Sequence, residues 1–184
     1  MDVTVVVLCG GRSSRFGRDK TRAPFRGSTV LDHLLAGLPP DWPVVAVGEE
    51  RRTAREVTWT RESPLFAGPL AAVQAALPRA ATTTFVLVAG DMPYAGRAVS
   101  ELVATLDRNP TVEAVVAADP AGHRQPLLAA YRTDAVRTAL PSPTANAPMR
   151  RLLDALAVTE LALPAAVTAD VDEPADLAAL DEER

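Results

Sequence analysis

The sequence predicts an α/β fold built on a mostly parallel sheet. Short β-branched runs such as Val3–Leu8 and Thr84–Ala89 alternate with segments of helical character. Strands that alternate with helices favour parallel pairing through right-handed crossovers. Both runs are apolar throughout, as expected of strands that are buried on both faces. Aromatic residues make up only 4% of the 184 residues, so Ala, Val and Leu must fill the core.

The predicted helices begin and end at cap and stop residues. Ser28 or Thr29 can cap the first helix, which runs to residue 38 and stops before two prolines. Gly68 and Pro69 open the second, because proline fits the first turn of a helix, and it runs to about residue 77. Further helices are predicted at residues 97–108, 148–156 and 174–180.

Apolar runs between these helices predict the remaining strands. They lie at residues 43–48, 57–60, 112–118, 127–131 and 158–163. No repeat or low-complexity linker interrupts the pattern. We therefore expect a single domain over residues 1–184.

Charge and cysteine content exclude several classes of protein. The net charge of −4 argues against non-specific binding of nucleic acid. The single cysteine cannot form an intramolecular disulfide, and no apolar run approaches the ~18 residues of a membrane span. We expect a soluble, cytoplasmic protein that binds neither nucleic acid nor membrane.

The segment between Leu8 and Lys20 combines a glycine turn with a concentration of positive charge. Backbone amides exposed at the turn can form an anion-binding concavity, and they belong to Gly10, Gly11, Arg12 and Ser13. Three cations can surround a polyphosphate there: Arg12, Arg15 and Lys20. The spacing fits neither a Walker P-loop nor a Rossmann fingerprint. The alternative is a glycine turn followed by a solvated basic loop.

Two carboxylates are candidates for binding a metal ion. Asp91 follows a buried strand, at the sheet edge where α/β proteins bind ligands. Mg²⁺ takes one or two carboxylates together with phosphate oxygens and water, which suits this position. Asp172, in the acidic final segment, is the second candidate. A turn at Asp91, and a helix cap at Asp172 before Pro174, are the alternatives.

Three segments carry a resemblance to a known family. The pattern Leu-x-Gly-Gly-x-Ser-x-Arg-Phe-Gly-x-x-Lys at residues 8–20 resembles the signature of nucleoside-diphospho-sugar-type nucleotidyltransferases. It is more closely similar to that of the molybdenum cofactor guanylyltransferases. Gly-Asp-Met-Pro at 90–93 and Asp-Val-Asp-Glu-Pro at 170–174 match two further motifs of that family. The resemblance implies a three-layer α/β/α sandwich with a Rossmann-like, mostly parallel sheet.

The resemblance also implies an activity. The family transfers GMP from GTP to the phosphate of molybdopterin, forming molybdopterin guanine dinucleotide and releasing pyrophosphate. Mg²⁺ would be bound by Asp91 and Asp172, and Arg15, Lys20 and Asp91 would be catalytic. The N-terminal half would bind GTP and the C-terminal half the acceptor. Transient contact with a molybdoenzyme or a cofactor-delivery protein is also implied.

The family's nucleotide contacts carry over to positions of this sequence. They are Leu8, Cys9, Gly10, Gly11, Arg12, Ser13, Lys20, Glu62, Gly68, Pro69, Leu70 and Asp91. Related cytidylyltransferases carry Leu-Ala-Ala-Gly where this chain has Leu-Cys-Gly-Gly, so Gly10 favours guanine. Arg124, Gln125, Arg150 and Arg151 are candidates for contact with the acceptor, whereas His123 is expected to be an exposed loop residue. The alternatives are a cytidylyltransferase, a related enzyme with another acceptor such as a sugar phosphate or phospholactate, and a non-catalytic GTP-binding module.

Overall fold

The structure, a computed structural model, describes residues 2–10, 16–17 and 19–182. Its strands are β1 Val3–Leu8, β2 Pro24–Phe25, β3 Ser28–Thr29, β4 Val44–Val47, β5 Thr58–Thr60, β6 Thr84–Ala89, β7 Ala114–Ala118, β8 Arg124–Arg132 and β9 Val158–Ala162. Its α-helices are α1 Val30–Ala36, α2 Pro69–Ala76, α3 Val99–Arg108, α4 Thr133–Ala139, α5 Arg150–Leu153, α6 Ala165–Thr168 and α7 Pro174–Glu182. Short 3₁₀ turns lie at Lys20–Arg22 and Ala95–Arg97.

Seven of these strands form one sheet in the order β5-β4-β1-β6-β8-β7-β9. Strand β8 runs antiparallel to both of its neighbours, β6 and β7, and the other pairs in the sheet are parallel. Strands β2 and β3 form a separate antiparallel pair. The mostly parallel sheet predicted from the sequence is therefore confirmed.

Helices cover both faces of the sheet. Val3, Val5 and Val7 of β1 pack in one apolar cluster with α1 and α3. Val6 and Leu8 point the other way and pack in a second cluster with α2, α4 and α5. Successive side chains of a strand point to opposite faces, so a strand that is apolar throughout requires a helical layer on each side. This arrangement is the three-layer α/β/α sandwich that the resemblance implies.

The central strands β1 and β6 end side by side at one edge of the sheet. Leu8 pairs with Ala89, and the amide of Gly90 donates to the carbonyl of Leu8 at 2.9 Å. A Cβ at Gly90 would lie 3.0 Å from that carbonyl oxygen and 3.2 Å from the sulfur of Cys9, so a side chain there would crowd both atoms. Glycine thus allows the two strand ends to approach closely and brings Gly10 and Asp91 to the same edge.

The C-terminal segment returns to this edge. Val171 is fully buried, and its amide donates to the carbonyl of Asp91 at 3.0 Å. The hydroxyl of Tyr94 donates to the carbonyl of Leu180 in α7 at 3.1 Å. Val171 and Leu180 pack with Phe25 and Tyr94 in a third apolar cluster. These contacts place residues 170–172 beside Asp91.

The predicted elements differ from the observed ones in the C-terminal half. Helix α4 was not expected from the sequence, because its segment lacks an apolar stripe and buries only Thr133 and Val136. Helix α5 covers four residues, far fewer than the predicted 148–156. Strand β8 is longer than the predicted 127–131, because it pairs with strands on both sides. Among the described residues, no helix has the length and apolar character needed to cross a membrane.

Candidate active site

A pocket of about 270 Å³ opens at the carboxyl ends of β1 and β6. It brings together six of the predicted nucleotide contacts, namely Leu8, Gly10, Glu62, Gly68, Pro69 and Asp91. The remaining lining residues are Phe66, Ala72, Ala89 and Leu127. Apolar walls with a few polar groups are typical of small-molecule sites, and this position in the sheet is where α/β proteins bind ligands.

Two predicted contacts have little surface to offer a ligand. Leu70 has no exposed surface, because it packs in the core on the inner face of α2. Cys9 is only 8% exposed. Burial raises the pKa of the Cys9 thiol to about 12, so the thiol is protonated and unreactive at neutral pH. The predicted nucleotide contacts at Leu70 and Cys9 therefore stay predictions, and their backbone atoms are the groups that would make them.

Part of the glycine-rich loop lies outside the described residues. The predicted contacts concerned are Gly11, Arg12, Ser13 and Arg15. They stay predictions.

Lys20 begins the 3₁₀ turn that follows the loop. Asp19 caps this turn, accepting hydrogen bonds from the amide of Thr21 at 3.0 Å and from its hydroxyl at 2.6 Å. Arg51 donates to the other oxygen of Asp19 at 2.8 Å and also to the hydroxyl of Thr21. This network fixes the turn, and the turn directs the side chain of Lys20 toward the sheet edge.

The ammonium group of Lys20 bridges two of the predicted functional carboxylates. Its Nζ lies 2.5 Å from Oδ2 of Asp91 and 2.8 Å from Oδ1 of Asp172. Burial alone would lower the pKa of Lys20, but the hydrogen bonds and charges of Asp172 and Asp91 outweigh it and raise the pKa. Lys20 is therefore a permanent positive charge at this end of the pocket.

A third carboxylate, Asp170, joins this group. One oxygen from each of Asp91, Asp170 and Asp172 lies within 4.8 Å of the others. Burial raises the pKa of Asp170, and the nearby charges of Asp91 and Asp172 raise it further. Asp170 was not among the predicted ligands. Its spacing from Asp172 was the available signal, since residues two apart in an extended segment point to the same side.

These carboxylates fit a hard divalent cation such as Mg²⁺. Their oxygens are the donors that Mg²⁺ prefers. Oδ1 of Asp91 is buried and has no hydrogen-bond partner among the residues that the structure describes, so it has an unused acceptor for an ion or a ligand. Asp176 in the first turn of α7 accepts from the amides of residues 172 and 173 at 2.8 and 2.7 Å, which orders the backbone next to Asp172.

Glu62 is a second buried carboxylate that lines the pocket. It is only 7% exposed, and its Oε1 accepts a hydrogen bond from the amide of Phe66 at 2.9 Å. Its Oε2 is buried and has no hydrogen-bond partner within the described part of the chain. A Cβ at Gly10 would lie 3.7 Å from Oε1, so the carboxylate sits directly against the glycine turn. A buried acceptor without a partner is costly, and a ligand that donates hydrogen bonds would relieve that cost.

Helix α2 presents its N-terminus next to Glu62. Gly68 precedes the helix at φ 90° and supplies no side-chain cap, and Pro69 occupies the first turn. The helix N-terminus carries partial positive charge and amides that lack intrahelical partners. This end of the pocket therefore combines a hydrogen-bond acceptor from Glu62 with donors from the helix.

The predicted acceptor contacts lie apart from the residues that line the pocket. Arg124 in β8 is about half exposed and forms an ion pair with Glu160 at 2.6 Å. Arg150 and Arg151 are exposed on α5, and Gln125 is partly buried in β8. His123 is exposed, as expected, and contacts Asp119. Leu127 of β8 does reach the pocket, so the C-terminal half contributes to one wall.

Comparison with known sequences connects this geometry to a family. A sequence model described as the MobA-like NTP transferase domain matches residues 5–161. The molybdenum cofactor guanylyltransferase of Bordetella pertussis is 32% identical over 142 residues, which cover 72% of this chain and 72% of that protein. The enzyme of the same name from Cupriavidus taiwanensis is 33% identical over 135 residues, covering 67% of this chain and 66% of its own length. Alignments with several other relatives cover only about half of their length.

A solved structure shares the fold. Molybdopterin-guanine dinucleotide biosynthesis protein A from Archaeoglobus fulgidus superposes with a TM-score of 0.72 and 22% sequence identity, over 97% of each chain. At this level of identity the likeness concerns the fold alone.

Proposed function

The chain belongs to the family of MobA-like NTP transferases, and from that premise we propose that it transfers GMP from GTP to the phosphate of molybdopterin. The products would be molybdopterin guanine dinucleotide and pyrophosphate. The observation that carries the proposal is the placement of Glu62 and Asp91 in one pocket, each with a buried oxygen that lacks a partner among the described residues. One carboxylate would bind the base and the other the phosphate region.

Glu62 supports guanine as the base. The Watson–Crick edge of guanine presents two neighbouring N–H donors beside a carbonyl acceptor. The donors suit the free Oε2 of Glu62, and the carbonyl suits the amides at the N-terminus of α2. Cytosine offers one donor, its amino group, with an acceptor nitrogen beside it, so it would make fewer favourable contacts with the carboxylate. The pocket chemistry therefore favours GTP over CTP, in agreement with Gly10 in the sequence motif.

The cluster of three aspartates at the sheet edge supports a metal-dependent reaction. Asp91 and Asp172, together with Asp170, would hold Mg²⁺ through their oxygens. When bound, Mg²⁺ would neutralise and orient the phosphate oxygens of the nucleotide. Lys20, at hydrogen-bond distance from Asp91 and Asp172, is placed to move onto a phosphate that enters the site.

The chemistry requires positioning more than proton transfer. A phosphate oxygen of the acceptor attacks the α-phosphorus of GTP in line, the bond to the β-phosphate breaks, and pyrophosphate leaves. A phosphate is already an adequate nucleophile at neutral pH, so no strong general base is needed. Lys20 and, by prediction, Arg15 would stabilise the charge on the leaving group, as preorganised cations do in phosphoryl transfer.

We further propose that residues 1–184 form one domain with two functional halves. The N-terminal half would bind GTP, and the C-terminal half would bind molybdopterin beyond Leu127, with Arg124 and Arg150 as basic contacts. Transfer of the product to a molybdoenzyme or a delivery protein would follow.

A turnover assay with purified molybdopterin tests the function. The protein is incubated with Mg²⁺ and each of the four nucleoside triphosphates, and the dinucleotide product and pyrophosphate are measured, the former by mass. The expected result is a guanine dinucleotide with GTP and little product with CTP. A cytosine dinucleotide would instead identify a cytidylyltransferase. Binding of GTP without any release of pyrophosphate on addition of the acceptor would identify a non-catalytic module.

A further inference from the structure

Two large apolar side chains remain exposed on the loop that follows Glu62. Leu65 is 52% exposed and Phe66 is 46% exposed, and they are the exposed large hydrophobic residues of the described part of the chain. Phe66 lines the pocket, whereas Leu65 is not among its lining residues. Apolar surface left in water at the mouth of a pocket is a common sign of a binding surface.

The backbone of Phe66 is held in an unfavourable conformation. Its φ of 61° lies in the left-handed region, which an aromatic residue seldom adopts. The amide of Phe66 donates to Oε1 of Glu62 at 2.9 Å, and this hydrogen bond fixes the conformation. Backbone strain of this kind is concentrated at functional sites. The left-handed backbone of Phe66 therefore destabilises the loop, and it places the aromatic ring at the pocket wall.

Glu62 uses its two oxygens differently. Oε1 positions Phe66, while Oε2 remains buried beside the pocket and without a partner among the described residues. A planar ligand whose edge binds Oε2 would therefore lie close to the ring of Phe66, because the same carboxylate holds the backbone amide of that residue. One side chain would set both the edge contact and the position of the ring.

From this arrangement we propose that Phe66 stacks on the guanine ring of the bound nucleotide and acts as a specificity-determining residue for a purine. The inference rests on the proposed use of GTP. A purine offers a larger face for stacking than a pyrimidine does, so the ring adds to the selectivity that Glu62 exerts through hydrogen bonds. The pterin of the acceptor is the competing partner for this ring, and the experiment below separates the two.

Equilibrium binding in the absence of acceptor tests the proposal. Calorimetric titrations with GTP and with inorganic tripolyphosphate, both with Mg²⁺, are compared for the wild type, Phe66→Asn and Phe66→Trp. A separate titration of the same proteins with molybdopterin measures binding of the acceptor. Asparagine tolerates the left-handed conformation, so Phe66→Asn removes the ring while keeping the backbone. Leu65→Asn is the matched control on the neighbouring exposed residue.

Stacking predicts a loss that is specific for the base. Phe66→Asn should weaken GTP binding roughly 5- to 150-fold, the range that base–aromatic stacking provides, and should leave tripolyphosphate binding unchanged. Phe66→Trp should retain the affinity for GTP, and Leu65→Asn should change it less than about twofold. The thermal midpoint of Phe66→Asn should equal or exceed that of the wild type.

Three outcomes would overturn the stacking proposal. They are unchanged GTP affinity in Phe66→Asn, an equal loss for GTP and tripolyphosphate, and a defect that shows only when molybdopterin is titrated. Failure of the wild type to bind GTP would overturn the proposed function itself. The two proposals can therefore fail separately.

Discussion

Nζ of Lys20 donates a hydrogen bond to Oδ1 of Asp172 at 2.8 Å, although 152 positions separate the two residues. The contact joins the end of the glycine-rich loop to the segment that precedes the last helix. Asp91 lies on the other side of the same ammonium group at 2.5 Å. The ammonium group of Lys20 is thus held between carboxylates from two distant parts of the chain. It would compete with a metal ion for these carboxylates.

Replacing Lys20 with methionine should tighten the binding of a divalent cation in the absence of nucleotide. Two unit charges 4 Å apart interact by up to ~4 kcal/mol at an effective dielectric constant of about 20, and partial exposure of Lys20 reduces this energy. We therefore expect Lys20→Met to bind Mn²⁺ roughly tenfold more tightly, as measured by electron paramagnetic resonance of the free ion. Lys20→Arg keeps the charge and is the control. Equal Mn²⁺ affinity in Lys20→Met and wild type would show that the ammonium group does not compete with the metal.

Replacing Asp91 with asparagine should abolish most of the turnover while leaving the fold intact. Loss of one preorganised charged contact typically costs about 2.7–4 kcal/mol in the transition state, or roughly 10²–10³ in rate. Release of pyrophosphate from GTP in the presence of molybdopterin is the measurement. Asp134→Asn is the control, because the side chain of Asp134 is 93% exposed on α4 and does not line the pocket. Near-normal turnover by purified Asp91→Asn would refute the metal assignment.

The parts of the site that follow from local sequence were predictable. Strands β1 and β6 have the bounds that their apolar runs predict, because each run is buried on both faces and ends in glycine. Asp91 could be placed at the sheet edge for the same reason. Gly68 and Pro69 predicted the start of α2, whose first residues line the pocket.

The parts that depend on tertiary contacts could not be derived in this way. Asp170 reaches the site because the buried Val171 beside it is hydrogen-bonded to the backbone of Asp91. No local pattern encodes that pairing. Phe66 has an unremarkable sequence position, and its role at the pocket wall follows from a left-handed backbone and a hydrogen bond to Glu62. Leu70 shows the converse, since its side chain is buried in the core and only its backbone is left for the contact that its place in a family motif suggests.

Removing the carboxylate of Asp176 should destabilise the C-terminal segment. Its Oδ2 accepts from the amides of Asp172 and Glu173, so it closes the start of α7 as in a capping box and also orders the backbone that carries Asp172. Loss of such a cap costs about 1 kcal/mol, which corresponds to a fall of roughly 2–4 °C in the thermal midpoint of a protein of this size. Asp176→Ala should show this fall in a thermal melt, with weaker Mn²⁺ binding. Glu173→Gln, an exposed neighbour, should show neither change, and an equal effect of both variants would contradict the capping role.

The buried thiol of Cys9 should make folding stability depend on alkaline pH in a defined direction. Burial raises the pKa of this thiol from 9.0 to about 12, so the folded state favours the neutral form. The stabilisation is complete below the pKa of the unfolded thiol and is lost as the pH rises from about 9 toward 12, because the unfolded state then ionises first. Each unit of pH in that range should cost up to about 1.4 kcal/mol. Urea unfolding of wild type and Cys9→Ala at pH 8, 9 and 10 measures the effect as the difference between the two free energies of unfolding, since the other titrating groups are common to both proteins. That difference should be constant up to about pH 9, and above this pH the wild type should lose stability relative to Cys9→Ala. A constant difference across the whole range would show that the thiol of Cys9 is not held neutral by burial.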